Sequence, residues 1–94
     1  MKQKDIFEEL IELSRQIGIT VRREKGNFKS GHCFIDDKEL FVLNKSTPIE
    51  SLTAILAQGL LGHADKMYLK PVIRDFIEKE KTSVENSFRL DVNY

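Results

Sequence analysis

Few residues in this chain can do chemistry. His32 and Cys33 are adjacent, His63 closes the run Gly59-Leu60-Leu61-Gly62-His63, and Cys33 is the only cysteine. A histidine beside a cysteine could supply a base and a nucleophile. Neighbours on a strand point to opposite faces, however, so this pair is not expected to act together. Cys33 then reads as a small buried hydrophobe. A Cys33 to His63 pair across the fold stays open as a catalytic arrangement, with no orienting acid in view. A single cysteine rules out a disulfide within the chain and any multi-cysteine zinc or iron–sulfur site, which fits a reducing compartment. Gly26 and Gly31 do not open a helix, so the physical basis for phosphate capture at a helix N-terminus is missing.

Arg22, Arg23, Lys25 and Lys29 surround Glu24 and Phe28 and form the one basic cluster. They are weak anion-binding candidates: the cations could touch phosphates while Phe28 stacks on a base. The competing reading, which the sequence favours, is an edge strand whose charges block aggregation. The chain carries 15 basic and 15 acidic residues. That balance is also local, with nine basic against eight acidic residues in 1–47 and six against seven in 48–94. Nucleic acid is therefore a disfavoured partner.

Elements to position these residues are readable from periodicity. Ile6, Leu10, Leu13 and Ile17 recur at helical spacing, Phe7 and Ile11 widen the stripe, and Gly18 is placed to end the helix. Residues 19–23 alternate as a half-buried strand. Residues 24–31 are too poor in apolar side chains for a core element and read as a surface connection. Residues 32–35 and 40–44 form a hairpin around Asp36-Asp37-Lys38-Glu39, which suits a type I turn, and both faces of the hairpin are expected to be partly covered. Thr47-Pro48-Ile49-Glu50 reads as a helix start, with the Thr47 hydroxyl as cap. Ile49, Leu52, Ile55, Leu56, Gly59, Leu60 and His63 fall on one side of that helix. Pro71 opens a further helix carrying Val72, Ile73, Phe76 and Ile77. Phe88, Leu90, Val92 and Tyr94 alternate with polar residues in a strand-like pattern.

Ninety-four residues, 40% hydrophobic and 32% charged, suit one globular domain with a small core. The fold class expected is α+β: an N-terminal helix, a three-stranded antiparallel meander and two C-terminal helices, with scope for an extra C-terminal strand. Residues 1–81 make the domain and 82–94 an extended segment, either a strand or an exchanged arm. No stretch approaches the ~20 apolar residues of a membrane span, and the opening residues lack a signal-peptide core. A cytoplasmic location is expected.

Helix, three strands and a helix ending in Gly62-His63 resemble the minimal zinc-peptidase core of the ImmA/IrrE group, over residues 6–63. That group carries H-E-x-G-H, two histidines one turn apart on zinc and a glutamate that activates the bound water. Gly62 and His63 match the motif, whereas Gly59 stands at the first histidine and Leu60 at the glutamate. The resemblance implies a fold relative that has lost metal and catalysis. On the residues alone, His63 reads as a partly buried histidine near a helix C-terminus. Gly59 reads as a site of close backbone approach, and Leu60 as core. No catalytic residue, metal ligand or cofactor is assigned. The reading is a non-catalytic interaction or regulatory module that self-associates. The expected partner is a second copy or another protein, docking through Phe88, Leu90, Val92 and Tyr94. The alternatives are a hydrolase using His63 and a weak nucleic-acid binder using the loop after the first strand.

Overall fold

A computed structural model describes residues 2–80. Helix α1 spans Gln3–Gln16 and buries Ile6, Phe7, Leu10, Ile11 and Leu13 along its predicted stripe. Ser14 is also buried, its hydroxyl donating to the Leu10 carbonyl at 2.7 Å. Gly18 ends the helix at φ +89°. The Gly18 amide bonds the Arg15 carbonyl and the Ile19 amide bonds that of Ser14, a Schellman closure that drops Ile19 into the core.

Three strands follow: β1 (Thr20–Glu24), β2 (Gly31–Ile35) and β3 (Lys38–Asn44). The α+β class stands, but the antiparallel meander does not. The sheet order is β1-β3-β2, with β1 parallel and β2 antiparallel to β3. Side-chain chemistry explains the central place of β3. Phe41 and Leu43 are buried on the side facing the helices, while Leu40 is buried on the other. A strand apolar on both faces belongs in the middle of a sheet, and the more polar β1 and β2 take the edges. The hairpin also closes differently from expectation. Asp36 and Asp37 both hold positive φ, 50° and 66°, in a two-residue loop joining Ile35 to Lys38. This is the twist-matched primed geometry, which aspartate tolerates better than most residues, in place of the expected type I turn.

With β1 beside β3, the connection 25–30 must cross the end of β3 to reach β2. Asn44, the last residue of β3, carries that crossing. Its Nδ2 donates to the carbonyls of Gly26 at 2.8 Å and Phe28 at 2.7 Å. Its Oδ1 accepts from the Ser46 amide at 3.0 Å, and its own amide donates to Ser30 Oγ at 2.7 Å. Ser30 Oγ lies 2.8 Å from Thr47 Oγ1, so the Thr47 hydroxyl serves the crossing loop and does not cap the next helix. Helix α2 (Ile49–Leu60) instead starts from Pro48 without a side-chain cap, and the Pro48 carbonyl accepts from the Ser51 and Leu52 amides.

Helix α2 buries Leu52, Thr53, Leu56, Ala57 and Leu60 against α1 and the sheet. It tightens into a 3-10 helix over Leu61–Lys66, which carries His63. Residues 71–80 are helical (α3), and Ile73 and Ile77 join the core. One face of the sheet is thus covered by helices, and the face bearing Cys33, Ile35 and Leu40 lies outside that core cluster. The predicted segment 82–94 lies outside the described residues. No helix among those described is long and apolar enough to cross a membrane.

Asn44→Asp preserves shape but exchanges two donors for a carboxylate facing two carbonyls. It is expected to lower stability by at least about 2 kcal/mol, since buried polar groups left unpaired cost ~1–3 kcal/mol each. Urea unfolding measures this, and a midpoint equal to that of the parent would contradict the role given to Asn44.

Candidate functional site

The hairpin register decides which polar groups meet. His32 is directly opposite Phe41, and Phe34 opposite Glu39, so these four share the helix-facing side of β2 and β3. Cys33, opposite Leu40, lies on the other side. His32 and Glu39 are diagonal neighbours, and the 3-10 helix after α2 brings His63 to the same carboxylate. His32 Nε2 lies 2.6 Å from Glu39 Oε2. His63 Nε2 lies 2.9 Å from Glu39 Oε1 and 3.2 Å from Oε2. A carboxylate only accepts, so each imidazole donates an Nε2–H here. The Glu39 side chain is only 14% exposed, so two donors satisfy a carboxylate that has little water to turn to.

The packing beneath this cluster depends on Gly59. A Cβ there would sit 2.4 Å from Phe41 Cε1, 2.5 Å from Cζ and 3.3 Å from His32 Cδ2. The close approach anticipated at Gly59 is therefore made by an aromatic ring, and not by a second backbone. Phe41 is fully buried and the His32 ring rests on it, with centroids 4.9 Å apart and planes tilted by 37°. Phe34 meets His32 edge-on at 5.3 Å. Leu60 is fully buried in the core, as its place on the apolar stripe implies.

The fold separates several residues that the sequence suggested together. Cys33 and His63 are on opposite sides of the sheet, because His63 bonds Glu39 on the face that Cys33 does not share. Arg22 and Arg23 alternate across β1. Arg22 lies 3.4 Å from Glu24. Arg23 has its guanidinium 5.3 Å over the Phe7 ring and 3.9 Å from Glu8. Phe28 is half-buried beside Gly26, in contact distance of any side chain placed there. Lys25 and Lys29 are exposed in the crossing loop. Phe88, Leu90, Val92 and Tyr94 lie outside the described residues. Glu39 was not singled out by the sequence, although a hairpin register placing it diagonal to His32 would have found it.

Among the described residues, no group of three His, Cys, Asp or Glu side chains is arranged to hold a metal ion. Glu39 and the two histidines instead satisfy one another by hydrogen bonds, tying the edge strand β2 and the central strand β3 to the end of α2. Comparison with protein-family models, curated proteins and solved structures returns no match.

Gly59→Ala is expected to destabilise the protein by about 1–3 kcal/mol, the usual range for overpacking, although alanine gains ~1 kcal/mol of helix propensity over glycine. Thermal unfolding monitored by circular dichroism tests the balance. A raised melting temperature would mean that propensity outweighs the clash with Phe41.

Proposed function

We propose that this protein is a small non-catalytic interaction module that self-associates by adding a strand to the free edge of β2. The carrying observation is the edge itself. A two-residue loop closes on a hydrogen-bonded pair, here Ile35 and Lys38, and antiparallel bonding then alternates along the strand. His32 and Phe34 consequently turn their backbone N–H and C=O groups away from β3. Among the described residues β2 pairs only with β3, and there those groups form an open template. The side chains at the tip match it: Phe34 is 66% exposed and Ile35 56%. Large apolar residues beside an unpaired strand edge favour strand addition, where backbone bonds supply affinity and alternate side chains supply register.

The partner strand in this reading is the alternating row Phe88, Leu90, Val92 and Tyr94 of a second copy. Its four apolar residues would extend the sheet face that carries Cys33, Ile35 and Leu40. Residues 81–94, if extended, can span roughly 46–50 Å, more than the longest dimension of the described fold, 37 Å. Reach therefore does not prevent exchange between copies. The hydrogen bonds of Glu39 hold β2 in place before any partner arrives, which lowers the ordering cost of docking. Two features support the non-catalytic part: the Phe41 ring fills the space that a side chain at Gly59 would need, and Leu60 is committed to the core. The ImmA/IrrE-like ancestry belongs to the same proposal, as a scaffold kept after its chemistry was lost. A cytoplasmic location suits the lone thiol of Cys33.

Light scattering on the full chain is expected to show a dimer that falls apart on dilution. Leu90→Asp should shift it to monomer, and so should Phe34→Pro, which removes an outward N–H without touching the ladder to β3. A monomer at every concentration would overturn self-association. A dimer indifferent to both variants would overturn the β2 edge as its surface.

A further inference from the structure

Two elements beside the core have little packing of their own. None of the five residues of β2 is fully buried, and among the described residues the strand pairs only with β3. None of the six residues of the 3-10 segment Leu61–Lys66 is fully buried either, and Leu61 and Ala64 lean on the core as partly buried side chains. A 3-10 run of that length is weakly held, because its hydrogen bonds are poorer than those of an α-helix and runs beyond about four residues are uncommon. Both elements meet at one carboxylate. Glu39 Oε2 accepts from His32 of β2 at 2.6 Å, and Oε1 accepts from His63 of the 3-10 segment at 2.9 Å. We propose that this shared carboxylate is a latch, coupling the order of the β2 edge to the 3-10 segment, so that release of His63 loosens the strand on the other side of Glu39.

The coupling is positive because the two hydrogen bonds share one ordering cost. Fixing a glutamate side chain loses rotamer entropy, and here a single fixed rotamer serves both imidazoles. Without His63, the bond to His32 has to hold that rotamer alone. Solvation acts in the same direction. The Glu39 side chain is 14% exposed and that of His63 36%, so His63 is the more exposed partner, and its departure opens the carboxylate to water. A hydrogen bond to a hydrated carboxylate is weaker than one in a drier site. His32 transmits the loss, since its ring rests on Phe41 of β3 and meets Phe34 of its own strand edge-on.

Linkage makes the effect reciprocal: whatever orders β2 also holds the 3-10 segment. A contact on residues 61–66 that draws His63 off Glu39 would therefore weaken the edge without competing for it. This control of docking rests on strand addition at β2, whereas the coupling itself is a property of one copy.

Amide hydrogen exchange followed by NMR tests the latch on the full chain carrying Leu90→Asp, so that dimerisation does not mask the edge. The Cys33 and Ile35 amides bond β3 and report on β2, and the Leu10 amide within α1 reports on the global fold. His63→Ala is expected to speed exchange at Cys33 and Ile35 about fivefold or more, the low end of the usual coupling between sites, beyond any change at Leu10. With Glu39→Ala already present, His63→Ala should have no further effect, because the shared carboxylate is gone. Glu39→Thr, which suits a strand, replaces the alanine variant if that does not fold. Equal acceleration at all three amides, no acceleration at Cys33 and Ile35, or acceleration that persists without Glu39 would each overturn the latch. In the chain without Leu90→Asp, His63→Ala should raise the concentration at which the dimer dissociates about fivefold, and an unchanged value would overturn the control of docking. A chain that is monomeric throughout would end strand addition, and exchange at Cys33 and Ile35 would still decide the latch.

Discussion

The carboxamide of Asn44 is the constraint on which the architecture depends. Placing β1 beside β3 forces the chain to cross the end of β3, and that crossing leaves loop carbonyls over a buried strand terminus. Both Nδ2 hydrogens go to the carbonyls of Gly26 and Phe28, and Oδ1 takes the Ser46 amide. Every polar atom of the side chain is therefore used, at a position almost closed to water. No other side chain of this size offers two donors and an acceptor in one plane. Ser30 and Thr47 extend the network, which fixes the two chain segments that leave the strand ends.

Once β3 is central, the remaining geometry follows. Phe41 in the middle of β3 points at α2, and only a glycine at position 59 allows the helix to lie that close. The ring in turn supports His32, and the hairpin register places Glu39 diagonally beside it. The 3-10 turn after α2 is short enough to bring His63 to the same carboxylate. One strand thus positions the Glu39 cluster towards its N-terminal end and the Asn44 network at its C-terminal end.

Much of this was legible in the sequence, and the exceptions share a cause. The stripe of α1, its closure at Gly18, the hairpin segments and the Pro71 helix start are local patterns, and all appear in the structure. Strand order is a nonlocal choice. Alternation in residues 19–23 shows that a strand exists, but nothing within it says whether it pairs with β2 or β3. The relevant signal was the apolar character of β3 on both faces, visible as Leu40-Phe41-Val42-Leu43, which marks a central strand. Thr47-Pro48-Ile49-Glu50 matches a capping box in composition, yet its hydroxyl is claimed by Ser30, a residue 17 positions away. Glu39 was hidden by the turn: a type I loop would have consumed it, whereas the two-residue primed turn returns it to the strand opposite Phe34.

Hydrogen exchange along β3 tests the central placement most directly. In the order β1-β3-β2, even-numbered β3 amides bond towards β2 and odd-numbered ones towards β1, so consecutive amides from Leu40 to Leu43 are all held. The account predicts slow exchange at each of these four positions, at rates close to those of global unfolding. Protection at alternate positions only would place β3 at an edge and restore the meander, contradicting both the crossing loop and the role of Asn44.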